Sequence, residues 1–257
     1  MVSQLHLAGV YRRRVGASLA RIWENVFDWE HLPALHDTSF SGVRLISHVG
    51  DEQVVEIDDA GGRTTTIRTV GLRAEHRYVV HTTEGRGTGS EVRVQLTPVE
   101  PHLTDIEVQY HVPENRPERL KVIGEAFVPF YARLWEEDEI MMRAREQRLR
   151  ARRRTAREPV RLGRLAEVEP ALPLTVEFGG EPFRILRDGG ELLAHAAVCP
   201  HWLGPLDETP VENGVMRCPW HGWRFDVRTG AEVDGRPCRL PPPPRVSLED
   251  DEIWLRP

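Results

Sequence analysis

Residues 199–230 read CPHWLGPLDETPVENGVMRCPWHGWRFDVRTG, and this stretch decides the fold of the C-terminal part of the chain. Cys199 and Cys218 each carry a histidine at short range, as Cys199-x-His201 and Cys218-x2-His221. Sixteen residues separate the two halves, and Gly204, Pro205, Pro210 and Asn213-Gly214 make them rich in turns. That length suits two neighbouring loops at one end of a small β-domain. Two thiolates and two imidazoles can hold one zinc ion, or a [2Fe–2S] centre with the cysteines on one iron and the histidines on the other. Three cysteines in 257 residues do not make a disulfide framework. Cys238 lies outside both loops and is expected to be a small buried hydrophobe.

The surroundings favour the iron–sulfur centre. With its trailing G-W-x-F-D-x-x-T-G hairpin, the segment resembles the Rieske domain, over residues 160–257. The resemblance implies that Cys199 and Cys218 hold the inner iron and His201 and His221 the outer one. Trp202, Trp220 and Trp223 would shield the cluster from water. Respiratory Rieske proteins carry an extra cysteine in each loop; here non-cysteines stand there, Trp220 among them, and no serine follows His221-Gly222. Fewer hydrogen bonds to sulfur favour a potential near the lower end of the Rieske range, about −150 mV.

Composition sets the outer bounds. At 40% hydrophobic and 29% charged residues the chain reads as a soluble globular protein, and its net charge of −6 argues against general nucleic-acid affinity. Lys121 is the only lysine. No apolar run approaches the ~20 residues of a membrane span. The triplet Arg12-Arg13-Arg14 could suggest a twin-arginine signal, but Arg21, Glu24, Asn25 and Asp28 occupy the place of an apolar h-region. A cytoplasmic, unprocessed protein is the expectation.

Upstream, residues 5–15 read as a strand and residues 18–29 as a helix. Six β-like segments follow: VRLISHV, EQVVEID, RTTTIRTV, HRYVVHT, SEVRVQLTP and TDIEVQYHV. A long helix is expected over residues 116–154, its arginine-rich end suiting the helix dipole. GRGTGS at residues 85–90 joins two strands and opens no helix, so it is not a dinucleotide loop. This order of elements resembles the helix-grip (START-like, SRPBCC) fold, in which a curved sheet wraps the final helix around an apolar cavity. The expected class is α+β: a helix-grip domain over residues 1–150, an arginine-rich linker over 151–159 and an all-β Rieske domain over 160–257.

A Rieske domain joined to a helix-grip domain resembles the Rieske non-haem iron oxygenases, although that family normally carries the Rieske domain first. Its mononuclear iron is held by D-x2-H-x4-H and an aspartate near the end of the long helix. NVFDWEHLPALH supplies Asp28-x2-His31-x4-His36, with Pro33 favouring a kink or bulged turn that brings positions five apart toward one metal. For the third ligand, stepping 100° per residue from Phe127 puts Asp138 about 20° from that direction, near Tyr131, Leu134, Met141 and Met142. Glu136 falls opposite, and Glu137 and Glu139 to the sides. The resemblance implies Fe(II) on His31, His36 and Asp138, with Asp28 linking a ligand histidine to a cluster histidine across a subunit boundary. His48, His76, His81, His102, His111 and His195 read as ordinary core or surface residues.

The resemblance therefore implies an oxygenase component taking electrons from a separate NAD(P)H-dependent reductase or a ferredoxin. Its substrate would be an apolar small molecule, hydroxylated, demethylated or desaturated, and its assembly a homo-oligomer, a head-to-tail trimer in the family. A non-catalytic electron carrier or redox sensor fused to a hydrophobic-ligand-binding domain is the second expectation. A zinc-stabilised binding module is the third.

Overall fold

Strict alternation builds the N-terminal sheet. In β6 (Glu91–Glu100), Val92, Val94 and Leu96 are buried while Arg93, Gln95 and Thr97 face out. In β7 (Leu103–Val112), Thr104, Ile106 and Val108 are buried in the same rhythm. The computed structural model describes residues 4–151 and 155–257. These divide between Glu146 and Gln147 into two compact units.

The first unit begins with β1 (His6–Val15), α1 (Leu19–Phe27) and the one-turn α2 (Leu32–Leu35). A meander follows: β2 (Phe40–Val49), β3 (Glu52–Asp59), β4 (Thr64–Leu72), β5 (Arg77–Glu84), β6 and β7. Its strand order is β1-β7-β6-β5-β4-β3-β2, antiparallel at every pairing. The long α3 (Pro117–Ala151) comes last and packs Phe127, Trp135 and Met142 into the core formed by Val15, Ile22, Trp23, Tyr78 and the inner residues of β6 and β7. This is the helix-grip arrangement: six consecutive hairpin-linked strands, closed by the first strand and gripping the final helix.

Two features fix α3 against the sheet. Gly9 and Gly124 let the backbones of β1 and α3 meet, and a Cβ at Gly124 would fall 2.1 Å from the Ala8 carbonyl oxygen. Glu139, only 8% exposed, accepts from the Gly16 backbone N–H at 2.8 Å and from Arg13 Nε at 2.7 Å. Arg12 and Arg14, on the other face of β1, pair instead with Glu107 and Asp105 of β7.

The expected helix over residues 18–29 is shorter than its pattern suggested. Ser18 caps it, its Oγ accepting from the Arg21 N–H at 3.3 Å, and Asp28 ends it. The expected helix end at Arg154 and part of the expected linker fall on residues 152–154, outside the described residues.

Among the described residues, the second unit contains three small sheets. One sheet pairs β9 (Leu174–Phe178), β10 (Glu181–Asp188) and β11 (Glu191–Ala196), and a second pairs β12 (Val211–Glu212), β13 (Val215–Arg217) and β14 (Arg224–Asp226). The third pairs β15 (Arg245–Glu249), β16 (Glu252–Arg256) and β8 (Val160–Arg164), with α4 (Leu165–Val168) following β8. Phe178, Phe183, Ile185, Leu206, Met216, Phe225, Ile253 and Leu255 form its interior. No described helix is long and apolar enough to cross a membrane.

Replacing Gly124 with alanine sets a methyl group against fixed backbone. The expected loss is about 2–3 kcal/mol of stability, read as a lower denaturation midpoint by far-UV circular dichroism.

Candidate functional site

His31 and His36 bracket a single helical turn. The chain leaves α1 at Phe27, and α2 starts afresh with His31 at its N-cap and His36 at its C-cap. The expected kinked or bulged helix is thus replaced by a separate turn. Pro33 sits in the first positions of α2, where its missing N–H costs no hydrogen bond. The turn closes through Leu35 N to His31 O at 2.8 Å and His36 N to Leu32 O at 3.2 Å. The His36 carbonyl then accepts from Ser39 at 2.8 Å and Phe40 at 2.9 Å, tying the turn to the start of β2. Both imidazoles are buried, their centroids 5.2 Å apart.

Asp138 of α3 meets both rings. Its Oδ1 lies 3.1 Å from His36 Nε2 and 3.4 Å from His31 Nε2. One donor atom from each of His31, His36 and Asp138 lies within 4.8 Å of the others. Adjacent ligands around an ion with bonds of about 2.1 Å stand about 3 Å apart at right angles, so these separations fit one metal ion. Two neutral nitrogens and one carboxylate on one side of an ion, with open positions opposite, suit non-haem iron.

Each ring has a second carboxylate behind it. Asp28 Oδ2 lies 3.3 Å from His31 Nδ1, and Glu137 Oε2 lies 2.5 Å from His36 Nδ1. Burial would lower the His31 pKa, but hydrogen bonds with Asp138 and Asp28 raise it to about 10. Burial would likewise raise Asp138, and hydrogen bonds from His31 and His36 hold it at about 2. Without metal, His31 is therefore an imidazolium paired with Asp138 at neutral pH. Burial, with help from neighbouring phenols and the Asp138 charge, pushes Tyr78 and Tyr131 up, so both remain protonated.

Helical phase placed Asp138 correctly on the inner face and Glu136 on the outer, exposed one. Sequence reading missed Glu137 as a partner of His36 and Glu139 as the anchor of β1. Phase alone says only that these acids flank Asp138.

The second constellation lies in the second unit. Cys199 and Cys218 are each 1% exposed, and their thiols are hydrogen-bonded to each other. Backbone N–H groups of Trp220 and His221 donate to the Cys218 sulfur, and that of His201 to Cys199. The Cys218 sulfur and burial push the Cys199 thiol up, because two adjacent buried thiolates repel without a metal between them. The rings of His201 and His221 are 4.6 Å apart, close to perpendicular. His221 is buried and His201 half-buried. Two sulfurs in one N–H cradle and two imidazoles side by side fit a [2Fe–2S] cluster with mixed ligands.

The tryptophans are unequal. Trp220 is buried, Trp223 stacks on His201 at 3.9 Å, and Trp202 lies 5.4 Å from His221; the last two are half-buried. Gly204, unremarked in the sequence beyond its turn, is essential to the packing: a Cβ there would fall 2.6 Å from Cys218 Sγ. Cys238 is half-buried, which corrects its expected place in the core. It lies beside the turn formed by residues 232–236 rather than within an apolar layer.

Residues 158–244 match the Rieske [2Fe-2S] domain model. The ferredoxin component of biphenyl 2,3-dioxygenase from Rhodococcus jostii is 32% identical over 90 residues, which are 35% of this chain and 83% of that protein. Human apoptosis-inducing factor 3 is 32% identical over 81 residues, 32% of this chain but only 13% of that longer protein. A START superfamily protein from Mycobacterium smegmatis covers 52% of this chain and 95% of its own at 22% identity, with a TM-score of 0.42.

Two outcomes are expected from these geometries. Metal uptake must displace the His31 proton, so apparent affinity for a divalent ion should rise about tenfold per pH unit toward pH 10. Titrations with Co(II) at several pH values, with proton release followed by an indicator, measure this. Gly204→Ala should lower cluster content severalfold through its contact with Cys218, read as iron and acid-labile sulfide per chain.

Proposed function

The chain belongs to the Rieske [2Fe–2S] protein family through its C-terminal unit, and on that premise we propose that it is the oxygenase component of a Rieske non-haem iron system. The observation that carries this reading is the buried His31–His36–Asp138 triad, a group able to hold a metal ion and different in kind from the cysteine–histidine set of the second unit. A cluster alone moves electrons one at a time; an open two-histidine, one-carboxylate site offers somewhere for oxygen to be reduced.

In this reading His31 Nε2, His36 Nε2 and an Asp138 oxygen hold Fe(II). The iron, when bound, supplies the reduction of O2 and the oxidation of the substrate. Asp28 holds the His31 ring by its outer nitrogen, and its side chain is only 6% exposed. By the family resemblance it also relays electrons from a cluster histidine of a neighbouring chain in a head-to-tail homo-oligomer. Trp135, Tyr131 and Phe127 on α3 and Tyr78 on β5 exclude water from the interior beside the triad. By the same resemblance the substrate would be an apolar small molecule, which would be hydroxylated, demethylated or desaturated. Cys199, His201, Cys218 and His221 hold the cluster, which receives electrons from a separate reductase or ferredoxin.

A carrier or sensor role is favoured by one observation: the relative covered over 83% of its length is itself a ferredoxin component. Iron and sulfide analysis separates the two readings. Protein purified anaerobically and reconstituted with ferrous iron should contain three irons to two sulfides per chain if the triad binds iron. Asp138→Ala should reduce this to two and two, abolish substrate oxidation and leave the cluster spectrum unchanged. Two irons in the wild-type protein would assign it to electron transfer alone.

A further inference from the structure

Glu137 has no place in the three-residue ligand set, yet it makes the shortest polar contact at the site. Its Oε2 lies 2.5 Å from Nδ1 of His36, whose ring is 1% exposed, while Nε2 of the same ring faces Asp138 Oδ1 at 3.1 Å. Two consecutive residues of α3 thus address the two nitrogens of one imidazole. Being about 100° apart around the helix, they straddle the ring rather than compete for one nitrogen. The preceding acid, Glu136, points to solvent and takes no part.

A carboxylate on one imidazole nitrogen has a defined chemical effect. It accepts the Nδ1–H, which fixes the tautomer and frees Nε2 as a lone-pair donor. Its negative charge also makes that donor more basic. The Glu137 side chain is 29% exposed, so its outer edge meets solvent while Oε2 grips a buried ring. Asp28 stands in the same relation to His31, at the longer distance of 3.3 Å.

We infer that Glu137 is the positioning residue of His36, setting its tautomer and orientation so that Nε2 is presented to the metal. The inference rests on the proposed metal site and deepens it: α3 supplies both a ligand and the group that prepares a second ligand, from adjacent positions. A helix rotation that moved Asp138 would move Glu137 with it, so ligand and partner are set together.

The test uses the full chain with its cluster intact, depleted of mononuclear iron and titrated with Co(II). Wild-type protein is expected to bind one Co(II) and to give two hyperfine-shifted, exchangeable ring N–H resonances, from His31 and His36. Glu137→Ala should weaken binding about tenfold to a hundredfold and remove one resonance through fast solvent exchange, while the cluster spectrum and unfolding midpoint stay unchanged. Glu137→Gln keeps an acceptor without the charge, so it should restore the resonance and only part of the affinity. Glu136→Gln should behave as wild type. Wild-type affinity and both resonances in Glu137→Ala would overturn the inference and leave the metal site standing. Failure of the wild-type chain to bind Co(II) would overturn both.

Discussion

A carboxylate carried into an apolar interior must be met there by positive charge or hydrogen bonds, and Asp138 imposes that requirement on the whole N-terminal unit. Two imidazoles meet it. To bring them to one oxygen, the chain ends α1 at Phe27, turns, and builds a new helical turn whose two ends are the two histidines. The position of α3 then matters to within a fraction of a turn. Glu139, one residue beyond Asp138, clamps the helix to Gly16 and Arg13, and the glycine contact at Gly124 clamps it again further up. Of three consecutive acids, Glu137 meets His36, Glu139 meets β1, and only Asp138 lies between both imidazoles.

The C-terminal unit meets a different requirement, the burial of two sulfurs beside each other. Its answer is local. Each short loop returns on itself through backbone bonds, Cys199 N to Gly204 O at 2.9 Å and Cys218 N to Trp223 O at 2.8 Å. The second loop turns its own N–H groups toward the Cys218 sulfur. Asp226 closes the hairpin that follows, its Oδ1 accepting from the N–H groups of Arg228 and Thr229 at 3.0 and 2.7 Å. Because these contacts join residues a few positions apart, the whole device fits within a short run of sequence.

That difference explains what could be read in advance. The grouping of Cys199 with Cys218 and of His201 with His221 was legible because spacing and geometry coincide in short loops. The seven strands were legible because alternation is a property of neighbours, and β6 and β7 show it cleanly. Asp138 was legible from helical phase, since an acid on an apolar stripe stands out. Glu137 was not, because its partner is 101 residues away and its role depends on which way the His36 ring faces. Gly204 was hidden for a similar reason: the atom that excludes a side chain there belongs to the other loop. Pro33 was noticed but misplaced, as a proline that bends a helix and one that starts a new turn have the same neighbours in sequence.

The triplet Arg12-Arg13-Arg14 has one more consequence. β1 is an edge of the seven-stranded sheet, and along it the guanidiniums alternate, Arg13 inward to Glu139 and its neighbours outward to Glu107 and Asp105. Sliding β1 by one residue would turn two guanidiniums toward α3, where one carboxylate is available, and strand Arg13 outside. An identical strand approaching from another molecule would meet three arginines, one of them pointing into the sheet, a pattern that discourages edge-to-edge growth. The three arginines therefore act as an error check on strand register and as a barrier to aggregation.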